Sequence, residues 1–118
     1  MKLLTKALEK KLLANGVAST IELGGGTYTD PKPVVKLFNP CGGQTWLLSE
    51  LSADGDRAYG LCDLGFGTPE LGYLSLAELG AIRTRPFGLG IERDLHATFD
   101  KPMSEYAREA RERGHIIA

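Results

Sequence analysis

From residue 34 to residue 94 the chain joins short strand patterns by links of a few residues, and that spacing constrains the fold more than any other feature. Residues 34–38 and 45–51 are rich in β-branched, aromatic and aliphatic side chains, and Asn39-Pro40-Cys41-Gly42-Gly43 turns the chain between them. Ala53-Asp54-Gly55-Asp56 makes a second turn into residues 57–63. A parallel crossover needs a dozen or more residues, so these segments pair as an antiparallel meander. After Gly65-Phe66-Gly67-Thr68-Pro69, residues 70–74 read as extended, and Ser75-Leu76-Ala77-Glu78 forms a capping box. Ser75 caps the Glu78 amide while the Glu78 carboxylate reaches back to the Ser75 amide, starting a short helix through Ile82 or Arg83. Residues 86–90 break the pattern, and residues 89–95 resume as a strand that closes the sheet.

The flanks are helical. Thr5 is a good N-cap, Leu4, Leu8 and Leu12 recur at helical spacing, and Asn15-Gly16 reads as a left-handed stop, which predicts a helix over residues 5–15. Gly24-Gly25-Gly26 and residues 27–33 read as a loop. At the other end, Ser104 is the expected cap of an Arg/Glu-rich helix over residues 105–113, stopped by Gly114. Its apolar face is thin, essentially Tyr106, Ala107 and Ala110, with a Glu109–Arg113 pair on the outside, so it reads as loosely docked or awaiting a partner. The fold class is α+β, in one domain over residues 1–118 with its core over about residues 3–100 and a peripheral helix at residues 104–114. The sheet is expected to pack one face against the Thr5 helix and the capped Ser75 helix.

At 118 residues the chain can bury its own core without disulfide or metal staples. A net charge of −1 supplies no long-range field for nucleic acid or anionic membrane, and with 42% hydrophobic and 25% charged residues the composition is that of a soluble protein. Lys6, Glu9, Lys10 and Lys11 interrupt any signal-peptide core, and no 18-residue apolar run occurs, so a cytoplasmic location without a membrane is expected. Cys41 and Cys62 are far apart, with no C-x-x-C pair and no neighbouring histidine, and read as idle thiols with no metal or cofactor implied.

Among the chemistry-bearing residues, Glu92 and Asp94 are two apart, so on a strand both carboxylates share a face with Arg93 on the other. Such a pair can share a cation or divide acid and base roles, and His96 follows at the same spacing, so Glu92, Asp94 and His96 are the catalytic candidates. The commoner use of such charges is to fix a turn by pairing with Arg83, Arg85 or Lys101. Neither Ser49, Ser75, Cys62 nor Thr68 carries the surroundings of a nucleophile. Gly65-x-Gly67 and Gly88-x-Gly90 lack the later residues of a phosphate loop and read as turns. Lys36, Phe38 and Trp46 form a nucleic-acid platform only if they share a sheet face, and Phe38 and Trp46 read more naturally as core. Glu50 and Asp63 lie inside apolar strands, where exposure to water is the expectation and an inward carboxylate would mark a site.

Leu3-Leu4-Thr5-Lys6, Lys36-Leu37-Phe38, Thr45-Trp46 with Glu50, Tyr59-Gly60-Leu61, the run from Glu70-Leu71-Gly72-Tyr73 through Leu79, and Gly88-Leu89-Gly90-Ile91-Glu92-Arg93-Asp94 resemble a family of small bacterial proteins, the domain of unknown function number 2958. The resemblance spans about residues 3–100, and its two most specific stretches are residues 70–79 and 88–94. It implies a setting on plasmids and integrative elements and carries no catalytic residues over.

The leading functional reading is therefore a non-catalytic accessory protein of mobile elements that binds another protein. Arg93, Trp46, Tyr73 and Glu70 are its expected binding residues. A counter-defence role belongs to the same class, although a charge of −1 speaks against DNA mimicry. The alternatives are a small hydrolase or metal-dependent enzyme built on Glu92, Asp94 and His96, and a nucleic-acid binder that gathers Lys36, Arg57, Arg83, Arg85 and Arg93 on one face.

Overall fold

A computed structural model describes residues 3–25, 29–85 and 87–118, leaving aside the side chains of residues 20–25. The meander forms as its turns dictate. Strands β1 (Val35–Phe38), β2 (Thr45–Leu51), β3 (Arg57–Asp63) and β4 (Glu70–Ser75) pair in sequence, each antiparallel to the last. A two-residue strand β5 (Glu92–Arg93) adds to the far side of β1, giving the order β4-β3-β2-β1-β5. The closing strand is thus shorter than residues 89–95, because the chain spends Thr84 and Leu89 on a tight turn of its own, with Thr84 N donating to Leu89 O at 2.7 Å. Asp54 holds the β2–β3 turn through the amides of Asp56 and Arg57, which keep its carboxyl below the usual range.

Alternation divides the sheet between two cores. Val35, Leu37, Trp46, Leu48, Leu51 and Ala58 face α1 (Lys6–Gly25), joined by Leu12 and by Leu79 of α2 (Leu76–Ala81). Leu47 and Leu61 face the opposite way, onto Met103, Tyr106, Ala107 and Ala110 of α3 (Met103–Arg113). The thin apolar face of α3 is therefore buried rather than loosely docked. Two alanines let the helix approach the second face of the sheet closely, and Phe99 meets the Tyr106 ring edge-on at 5.9 Å. Asp63 ties down the chain beyond α3, accepting from the amides of Gly65 at 2.9 Å and Ile116 at 3.0 Å. No helix among the described residues is long and apolar enough to cross a membrane.

Three local expectations need correction. First, α1 does not stop at Asn15-Gly16 but runs to Gly25, so Gly24 and Gly25 are helical while residues 26–28 lie outside the described residues. Asn15 and Gly16 serve packing: Asn15 Nδ2 donates to Ser49 O at 2.9 Å, and a Cβ on Gly16 would lie 2.2 Å from the Leu51 carbonyl oxygen. Second, Pro102 rather than Ser104 precedes α3, and the cap comes from the distant Asp30, whose carboxylate accepts from the Ser104 amide and hydroxyl. Outside that helix Glu109 pairs with Lys101 at 2.6 Å, and Arg108 takes Glu105 and Glu112, in place of a Glu109–Arg113 pair. Third, Ser75 caps Glu78 as expected, yet the carboxylate at the start of α2 is Asp56, which accepts from Ser75 Oγ and from the Ala77 amide at 2.8 Å each.

Candidate functional site

One residue decides where a site can form. Between Leu48 and Glu50 the register of β2 against β3 slips by a residue, leaving Ser49 as a bulge. Leu48 opposes Gly60 and Glu50 opposes Tyr59. The bulge turns Leu51 into the α1 core and puts Glu50 on the α3 face, in one cross-strand row with Tyr59 of β3 and Tyr73 of β4. Glu50 is only 9% exposed and Asp63 only 2%, so neither carboxylate lies in water as the strand pattern suggested. The slip reverses the alternation after Ser49, and nothing in a seven-residue apolar strand announces it.

α3 covers the Leu61 and Leu71 end of this face, and among the described residues it does not cover the Tyr73 end, where Tyr73 is 58% exposed and Tyr59 half-buried. A cleft of about 330 Å³ lies there, lined by Glu50, Arg57, Tyr59 and Tyr73 of the sheet, Ser52 in the following turn, and Ser19 of α1. The two tyrosine rings stand 5.1 Å apart at 57°, and the Arg57 guanidinium lies 3.9 Å from the centre of the Tyr73 ring. Burial raises the Tyr59 hydroxyl above its ordinary value, reinforced by Glu50, by the neighbouring Tyr73 hydroxyl and by Asp30, with Arg111 pulling the other way.

The residues singled out from sequence lie elsewhere or are divided. Arg93 projects toward α1 and donates to Leu3 O at 2.8 Å. Asp94 projects to the other side, 3.7 Å from Lys36 Nζ, while its amide donates to Lys36 O and its Oδ1 accepts from the His96 amide. The carboxylate thus organises a turn, with Lys36 as its partner rather than Arg83, Arg85 or Lys101. His96 is exposed, and it is the His96 backbone, not the imidazole, that meets Asp94. Glu92 borders a separate hollow beside Arg83 and Ile91. Among the described residues no three His, Cys, Asp or Glu side chains gather at metal-binding range.

Of the expected binding residues, Trp46 is 5% exposed in the α1 core, on the opposite face from Lys36 and Phe38. Tyr73 and Glu70 stand exposed on β4. The cations Lys36 and Arg93 leave the sheet on opposite faces, and Arg57 lies two strands from β1. Cys62 faces the α1 core, where burial pushes its thiol up to about 11, far from a nucleophile's range.

The sequence profile of a family described as a protein of unknown function, DUF2958, matches residues 3–117, nearly the whole chain. The chain belongs to the DUF2958 family. No curated protein and no solved structure matches it. The DUF2958 match extends past residue 100 to include α3, in keeping with a helix that completes the second core.

Proposed function

We propose that this DUF2958 protein is a non-catalytic interaction module, an accessory protein of mobile genetic elements, that takes up an extended segment of a partner protein as a sixth strand along β4. The observation that carries this reading is the contrast in sheet edges. β5 is two residues long, whereas β4 presents six residues and, among the described residues, no strand beyond it. An open edge offers unpaired backbone amides and carbonyls to an incoming strand, and side chains beside it set the choice of sequence. Glu70 and the 58% exposed Tyr73 are placed to do so. Gly72 adds an opening at mid-strand, with nothing within 4 Å of where a Cβ would stand. The plasmid and integrative-element setting comes from the family resemblance.

Selection of peptides from a random displayed library on the intact protein, followed by amide hydrogen exchange of the complexes, tests the reading. Protection of the β4 amides by proline-free, extended peptides is expected. Recovery of no peptide above background, or protection confined to the β5 edge, would overturn it.

A further inference from the structure

We infer that the cleft between Glu50, Tyr59 and Tyr73 receives a basic side chain, lysine or arginine, from the partner segment. The inference deepens the β4 reading, and rests on it only for the route by which the cation arrives. A strand added to β4 places one of its side chains directly beside Tyr73, extending the row Glu50, Tyr59, Tyr73 by one position. Directly opposed side chains in an antiparallel pair have Cβ atoms about 4.5–5.5 Å apart, within reach of the cleft for a long side chain.

The cleft has the chemistry for such a guest. Its volume of about 330 Å³ accommodates one long side chain. Glu50, nine-tenths buried and opposed to Tyr59, is among the lining residues and brings a carboxylate whose other oxygen lone pairs can accept from a guest cation beside its existing contact. Aromatic faces attract cations through their quadrupole, and the protein demonstrates this on the spot: the Arg57 guanidinium sits 3.9 Å from the Tyr73 ring centre. Arg57 is exposed and belongs to the neighbouring row, so it can withdraw and leave that ring face to a guest. Ser19 and Ser52 add hydroxyl acceptors for ammonium or guanidinium protons.

The test uses single-residue probes, so that it does not depend on strand addition. The Nα-acetyl methylamides of lysine, arginine, norleucine and glutamate are titrated into the intact protein while the backbone amide signals of Glu50, Tyr59 and Tyr73 are followed by NMR. At least one basic probe is expected to shift these signals and to bind about tenfold more tightly than the norleucine probe. Glu50→Gln should remove that preference. Arg57→Ala, an exposed substitution that spares the core, should strengthen binding of the basic probe a few-fold by vacating the ring, where an anion site would instead weaken. Equal binding of norleucine, tighter binding of glutamate, or weakened binding of the basic probe by Arg57→Ala would overturn the inference. Peptides that protect β4 without selecting a basic residue beside Tyr73 would also overturn it while leaving the β4 reading intact. Basic probes that fill the cleft when no peptide protects β4 would uphold the inference and remove the strand-addition reading.

Discussion

At the β5 edge the polar groups turn inward on the protein itself, while at the β4 edge they face outward. Arg93 reaches back to Leu3, Asp94 holds Lys36 and its own turn, and the strand is two residues long. At the opposite edge six residues have no strand beyond them among the described residues, beside a cleft with a buried carboxylate, two aromatic rings and an exposed guanidinium. Density of charge in the sequence is thus a poor guide to where the sheet is left unpaired. The charged cluster at residues 92–94 organises a turn at one edge, and a single acid among apolar neighbours lines the cleft near the other.

The sharpest break of that contrast compares two glycines that face each other across β3 and β4. A Cβ on Gly60 would lie 1.9 Å from the Leu47 carbonyl oxygen, whereas Gly72, its partner, has open space. Gly60→Ala is expected to cost on the order of 4 kcal/mol or more and to leave the protein largely unfolded by circular dichroism. Gly72→Ala should change the urea midpoint by no more than about 0.5 kcal/mol. A Gly72→Ala effect as large as that of Gly60→Ala would mean that the face of β4 at Gly72 is covered after all.

The next largest effects separate stability from binding. Arg93→Ala removes a charged donor from the half-buried Leu3 carbonyl and should cost about 1.5 kcal/mol in urea denaturation, with no effect on library-selected peptides. Tyr73→Ala should cost about 1 kcal/mol, the worth of its ring contacts, and abolish capture of those peptides. Smaller again is Asp94→Asn, which weakens a partly exposed ion pair and should alter stability by at most about 1 kcal/mol. Loss of an activity in that variant with folding unchanged would return the Glu92, Asp94 and His96 cluster to the centre of the problem.

The faintest effect is a pH dependence. Burial raises the Cys62 thiol in the folded protein from 9.0 to about 11, so below pH 9 both folded and unfolded chains hold the proton and stability is unaffected. Between those values the unfolded chain loses its proton first, so the contribution of Cys62 to stability is lost as pH rises across that window. Thiol labelling at neutral pH should accordingly modify the exposed Cys41 quickly and Cys62 slowly.

The meander, its turns, the capped start of α2 and the first turn of α1 were legible because each rests on local chemistry within four or five residues. Leu8 N on Thr5 Oγ1 and Glu78 N on Ser75 Oγ are instances. What escaped depends on distant partners. Gly16 looks like a helix stop until the Leu51 carbonyl is seen beside it, and Asp30 looks like a loop residue until Ser104 arrives 74 positions later. The second core escaped for the same reason, since Tyr106, Ala107 and Ala110 make a sufficient face only against a sheet that offers Leu47 and Leu61. The cleft was the least legible, because Glu50 needed both a register and a bulge to be assigned a side.

That bulge sets which side of the sheet the end of β2 shows. Were Ser49 paired in the ladder instead of bulged, plain alternation would send Glu50 into the α1 core and Leu51 to the outer face, without substituting any residue of the cleft, whereas in-frame loss of Ser49 would leave Glu50 opposite Tyr59. The acid of the cleft thus owes its position to the exclusion from pairing of a residue that does not line the cleft.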